Sequence, residues 1–238
     1  MSTVLSADSV GKRFGKKTVL RAASIGIEDG ITVLVGRNGS GKTTLVSILM
    51  GLVEADSGLI HFDGHYLETP RWAWMARRGL AYLPASGFLP IRCRVSAILR
   101  TVSATELDYQ HAVDRSNLGE LCEKRVHELS TGERRLAELA WLALRRPRVL
   151  IADEPLRTLS PLNRGVAMML LRDLAETGAA ILVTGHESKE LLDHANTVQW
   201  LDGGYIRHLG SPDRAKQDER FVASYFGRPS TPASPPSS

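Results

Sequence analysis

Gly36-Arg37-Asn38-Gly39-Ser40-Gly41-Lys42-Thr43-Thr44 carries the clearest chemistry in the chain, fitting G-x-x-x-x-G-K-[ST] without a mismatch. A loop of this kind turns successive backbone N–H groups inward, and its glycines let the main chain approach phosphate oxygens. The expected phosphate contacts are Gly36, Asn38, Gly39, Ser40, Gly41, Lys42, Thr43 and Thr44. Lys42 supplies a cation for the terminal phosphates of a nucleotide, and the Thr43 hydroxyl is suited to ligate Mg²⁺. Asp153-Glu154 and His186 each follow an apolar run of strand length. At strand ends beside a phosphate loop, Asp153 would hold Mg²⁺ with Thr43. Glu154 would orient or polarise an attacking water, and His186 would contact the terminal phosphate. The competing reading makes these residues caps and turns of a generic α/β domain. Phe14, just before Gly15, reads either as a platform for an adenine ring or as a core aromatic.

The elements that must position these groups are legible nearby. Ile31–Val35 is a β-branched apolar run, and Leu45–Met50 is helix-like and stopped by Gly51. Upstream, Thr3–Val10 and Thr18–Ala22 read as short strands around a turn-rich 11–16, with 25–27 a candidate third strand. Leu59–Phe62 is a strand entering an Asp63-Gly64 turn, and Pro70 opens a short helix through Arg77. Trp72 and Trp74 cannot share that helix's narrow face, so one is expected at a surface or an interface. Leu80–Leu83 is a core strand. From 85 to 146 the pattern is helical, with segments at Val95–Thr101, Glu106–Leu118 and Thr131–Leu144. Ser130 and Glu133 fit a capping box for the last of these. Val149–Ala152 and Ala180–Thr184 are buried strands flanking a helix over Pro161–Glu176. Thr197–Leu201 and Tyr205–Leu209 form a hairpin, Pro212–Phe226 a surface helix, and 227–238 a disordered Pro/Ser-rich tail.

With 238 residues the chain can bury a sizeable core. Its 30 basic and 26 acidic residues nearly balance, and no lysine/arginine block stands out, so nucleic-acid binding is not expected. Arg77-Arg78 and Arg145-Arg146 read as solvated helix ends. Cys93 and Cys122 make neither a metal pair nor a disulfide framework, which suits a reducing compartment. No signal peptide and no membrane-length apolar run is found, so work at a membrane would need another chain to span it.

The order of phosphate loop, Leu129-Ser130-Thr131-Gly132-Glu133, Leu150-Ile151-Ala152-Asp153-Glu154-Pro155 and His186 resembles the ATP-binding subunits of ABC transporters. The resemblance covers the chain to about Gly210. It implies an α/β P-loop NTPase with a RecA-like core, an antiparallel β subdomain and an inserted helical subdomain over about 85–146. The nucleotide-binding domain would span 1–210, followed by the helix at 211–226. In the resembled family Leu129–Glu133 corresponds to the signature, usually Leu-Ser-Gly-Gly-Gln, which Thr131 and Glu133 depart from here. The family's dimers trap ATP between one subunit's phosphate loop and the other's signature. Ser130 and Gly132 would therefore meet the nucleotide bound by a second subunit, in a homodimer or heterodimer.

Two further departures fall on the family's coupling segments. Ala85 takes the place of the glutamine that senses metal and nucleotide and links them to the membrane partner. Ser160 takes the place of an aspartate that helps organise the opposite site. Nucleotide binding is expected to survive both, with turnover reduced. The short helical insertion resembles exporters of drugs, lipids or polysaccharides. The resemblance thus implies an ATPase, cytoplasmic and peripheral on the inner membrane face, driving a separately encoded permease. A soluble ATPase of the same type and a low-turnover regulatory module are the alternatives.

Overall fold

The computed structural model describes residues 3–185 and 189–225. Its central strands are β3 (Gly30–Val35), β6 (Leu80–Leu83), β7 (Val149–Asp153), β8 (Ala180–Gly185), β9 (Thr197–Asp202) and β10 (Tyr205–Gly210). They form one sheet in the order β10-β9-β3-β8-β7-β6, parallel throughout except for the β9–β10 hairpin. Alternate residues serve different cores. Ile31, Val33 and Val35 of β3 face one apolar cluster, and Leu34 joins the other. β7 divides into Leu150 and Ala152 against Val149 and Ile151, and β8 into Ile181 and Val183 against Ala180 and Leu182. Strands covered on both faces must be apolar at every position, which is why these runs are continuous in sequence.

One face packs against α5 (Thr131–Arg145) and α6 (Pro161–Glu176), joined in the same cluster by α3 (Val95–Arg100) and α4 (Glu106–Arg115). The other meets α1 (Lys42–Leu49) and a four-stranded antiparallel sheet. That sheet is ordered β2-β1-β4-β5, from β1 (Leu5–Phe14), β2 (Lys17–Ile27), β4 (Ser57–Phe62) and β5 (His65–Leu67). Between β6 and β7 the backbone is helical, apart from one isolated bridge between Arg94 and Arg125. On α5, Leu136, Leu139 and Leu142 are buried; each stabilises the fold by roughly 1.5–3 kcal/mol.

Several expectations are corrected. The first strand continues through 11–14, with register shifts that absorb these turn-like residues, and the chain reverses only at Gly15-Lys16. Residues 25–27 are the end of β2, because they pair with Leu5–Ala7. On α2 (Trp72–Arg77) both tryptophans are half-buried. Trp74 packs edge-on against Phe62 and His65 and carries the Arg78 guanidinium 3.9 Å from its ring. The helix expected from Pro212 is broken into α8 (Pro212–Gln217) and α9 (Glu219–Tyr225). Asp218 is extended there, and its carboxylate accepts from the Phe221 N–H at 2.8 Å, capping a new start. Residue 226 and the expected tail at 227–238 lie outside the described residues.

Candidate functional site

The loop from β3 to α1 is closed around its own side chains. A Cβ on Gly36 would stand 2.8 Å from both the Leu201 carbonyl and Ser40 Oγ. Gly41 has φ 110° and caps α1, and among the described residues no side chain is bonded to the helix's first N–H groups. Lys42, only 6% exposed, donates from Nζ to the Gly36 carbonyl at 2.6 Å and the Arg37 carbonyl at 3.2 Å. Burial lowers its pKa, and the charges of Glu154 and then Asp153 oppose that effect. The amine thus senses both carboxylates across the strand ends. Ser40 Oγ is buried without a hydrogen-bond partner among the described residues. Asn38, Gly39 and Thr43 are exposed and Thr44 is half-buried. A partnerless hydroxyl, a buried cation and uncapped helix N–H groups are what a polyphosphate would satisfy.

Asp153 ends β7 directly opposite Thr184 of β8. The Thr184 hydroxyl donates to Asp153 Oδ1 and accepts from the Glu154 N–H at 3.0 Å. Thr184 thereby fixes both acidic residues, although it reads in sequence only as the last residue of a buried strand. A hydroxyl at the end of an otherwise apolar run was the available signal. Glu154 has φ 48°, which turns its side chain away from the strand direction, and Arg157 Nη1 stands 3.3 Å from Glu154 Oε2. Asp153 and Thr43 offer hard oxygen donors, as Mg²⁺ prefers with one or two protein ligands plus substrate phosphates. Among the described residues no cluster of three or more His, Cys, Asp or Glu is suited to a metal. His186 lies outside the described residues.

The remaining sequence candidates sit apart. Phe14 is 51% exposed at the end of β1, with Lys12 Nζ 5.5 Å from its ring centroid. The core alternative for Phe14 therefore falls. Ser130 caps α5 as the sequence pattern suggests: its Oγ accepts from the Glu133 N–H at 3.2 Å, and Glu133 accepts from the Ser130 N–H at 2.7 Å. These bonds hold the Glu133 carboxyl below the ordinary range. A Cβ on the buried Gly132 would first meet Asn163, Leu159 and Thr158, so the α5 start abuts the α6 start. Ser160 is itself a cap, accepting from the Asn163 N–H at 3.3 Å.

Ala85 is exposed in the segment leaving β6, and its backbone carries its contacts. Its carbonyl accepts from Arg135 Nη2 at 2.8 Å, and Glu138 Oε1 accepts from the Phe88 N–H at 2.9 Å. Arg135 and Glu138 form an ion pair 4% and 1% exposed, with Nη1 to Oε2 2.9 Å. Nη1 is poorly directed for a hydrogen bond and has no other partner among the described residues. Burial lowers the Arg135 pKa, against the charges of Glu138 and Asp153, and raises that of Glu138 against Arg135 and the backbone N–H groups. Neither residue was a sequence candidate. The missed signal is a charged i,i+3 pair set into the apolar face of a helix.

A family profile described as ABC transporter matches residues 20–157. The lipopolysaccharide export system ATP-binding protein LptB of Acidithiobacillus ferridurans is 31% identical over 95% of this chain and 98% of its own length. Among solved structures, an ATP-binding cassette of an ABC transporter in its ADP conformation is similar with TM-score 0.80 and 20% identity. It covers 95% of this chain and all, 100%, of its own. A dimeric post-hydrolysis cassette bound to ADP and Pi is similar at TM-score 0.74 and 17% identity, over 87% of this chain and 98% of that one.

Proposed function

This chain belongs to the ABC transporter family, and we propose that it is an ATP-hydrolysing subunit that powers a separately encoded membrane permease in an exporter. The observation that carries the reading is the glycine-rich loop with its buried Lys42 and partnerless Ser40 hydroxyl, at the same carboxyl strand ends where Thr184 ties Asp153 and Glu154 together. Lys42 and the N–H groups of 36–44 bind and orient the triphosphate of ATP. Thr43 and Asp153 hold Mg²⁺, which when bound neutralises charge on the phosphates. Glu154, with its main chain fixed by Thr184, orients the water for in-line attack, and His186 contacts the terminal phosphate. Phe14 stacks on the adenine.

Ser130 is bonded within the start of α5 and Gly132 packs against the start of α6; their use on a second subunit's nucleotide is what the family resemblance supports. A dimeric cassette bound to ADP and Pi has a similar fold. Resemblance to a lipopolysaccharide export ATPase supports the exporter reading and a place on the inner membrane face. Among the described residues no helix is long and apolar enough to cross a membrane. Turnover by the isolated chain is slow, because Ala85 offers no side-chain amide to the metal's water shell.

Glu154→Gln tests this directly. The change keeps shape and hydrogen bonding but removes the charge that polarises water. ATP binding should persist within about threefold while hydrolysis falls at least about a hundredfold, as losses of transition-state interactions do. Hydrolysis at the parental rate would place the base elsewhere.

A further inference from the structure

Most of the polar and charged residues buried in this fold have a partner or a place in the nucleotide site. Lys42, Asp153 and Thr184 belong to that site, Arg135 pairs with Glu138, and the Ser116 hydroxyl donates back into its own helix. Thr32 and Gln199, each 3% exposed, remain. They stand on adjacent parallel strands, in the register that sets Thr32 beside Thr197 and Leu34 beside Gln199. Both line one cleft of about 390 Å³, where β3 and β9 meet the β1–β2 hairpin. The cleft lies toward the amino ends of β3 and β9, away from the phosphate loop. Thr32 precedes Gly36 by four residues, about 13 Å along an extended strand.

The cleft is rich in acceptors. Gln199 Nε2 donates to the Gly26 carbonyl at 3.0 Å, which fixes the planar amide and turns Oε1 away from that carbonyl. Gln199 Oε1 and the Thr32 hydroxyl have no hydrogen-bond partner among the described residues, and both stay accessible in the cleft. Asp8 and Glu28 stand exposed at its mouth, and neither carboxylate is ion-paired or hydrogen-bonded to a described residue. Asp8 lies on a bulge: residues 8 and 9 oppose Ser24 alone, with Ser9 at φ 49° and its N–H donating to Ser24 Oγ at 2.9 Å. Among the described residues no lysine or arginine lines the cleft, and His208 is its one side chain able to carry positive charge.

We propose that this cleft is a second binding site, for a small organic cation bearing ammonium groups, of the polyamine class. An ammonium carries three donors and no acceptor, the complement of Gln199 Oε1, the Thr32 hydroxyl and two unpaired carboxylates. The volume is that of a small-molecule pocket and far exceeds a bare metal ion. A neutral polyol would satisfy the hydroxyls but leave Asp8 and Glu28 without a counter-charge.

Spermidine titrated calorimetrically into the full chain without nucleotide tests the assignment, with sorbitol and Mg²⁺ titrated in parallel. Spermidine should bind one molecule per chain, and neither sorbitol nor Mg²⁺ should displace it. Asp8→Asn and Glu28→Gln, both at exposed positions that the fold does not depend on, should each weaken binding about tenfold or more. Thr32→Val keeps the shape of a buried strand residue but removes its acceptor, and should weaken binding at least about fivefold. ATP affinity should stay within about threefold in all three variants, because the phosphate loop lies at the other end of β3. Absence of spermidine binding would overturn the proposal. Binding that Thr32→Val leaves unchanged would also overturn it, by reducing the effect to surface charge. Tighter binding of sorbitol or Mg²⁺ at the same residues would overturn the ligand class. The titration uses no nucleotide, so the functional reading can fail in an ATP assay without altering its result.

Discussion

The loop between β3 and α1 and the segment between β6 and α3 both leave the carboxyl ends of parallel strands of one sheet, yet they are held in different ways. The first holds itself. Lys42 bonds carbonyls five and six residues back, and Gly36 meets Ser40 four residues on. The second is held from fifty residues away, by Arg135 to Ala85 and Glu138 to Phe88. A self-contained loop can keep its shape while its surroundings move, as a site that binds a constant phosphate chain requires. A segment tied to a distant helix reports where that helix stands.

The largest expected effect strikes the remote anchorage. Glu138→Ala leaves Arg135 buried without its counter-charge and the Phe88 N–H without an acceptor. It should cost about 3–5 kcal/mol of stability, read as a shift of the denaturation midpoint at constant slope. A loss below about 1 kcal/mol would mean that water replaces the carboxylate and that the two segments differ less than described. Next, Lys42→Ala strikes the self-contained loop. We expect ATP affinity to fall at least about a hundredfold, or 2.7 kcal/mol, in equilibrium binding. The amine also crosslinks the loop's own carbonyls, so amide exchange at 36–41 should quicken while Phe88 stays protected. Retained affinity would remove the anchor of the functional reading.

The smallest change sharpens the comparison. Ala85→Gln adds a side-chain amide to a segment already tied by its backbone. Up to two new contacts of about 1 kcal/mol each would raise steady-state turnover roughly fivefold to thirtyfold if they form only in the closed state. An unchanged rate, alone and with a permease, would show that the anchorage through Arg135 suffices and that Ala85 does not slow the enzyme.

What could be read from the chain follows the same division. The phosphate loop, Ile31–Val35, Pro161–Glu176 and the Ser130–Glu133 capping box were legible because each is governed by interactions within a few residues. The first hairpin misled because turn-forming residues 11–14 are absorbed into β1 by pairing with β2, which no local propensity records. The C-terminal helix misled in the opposite sense, because a single aspartate at 218 can end one helix and cap the next.

Residue type and spacing alone determined that this chain carries a phosphate loop, two acidic residues at a strand end and the helix cap resembling the family's signature. Those patterns depend on backbone geometry over short spans, where side-chain choice and conformation are tightly linked. Only the tertiary structure decided that Thr184 bridges Asp153 and Glu154, that Phe14 stands in the open, and that Arg135 and Glu138 grip Ala85 and Phe88. These contacts join residues 30 to 50 positions apart. They exist because strands distant in the chain lie side by side, and because buried charges must find whatever partner the packed chain brings to them.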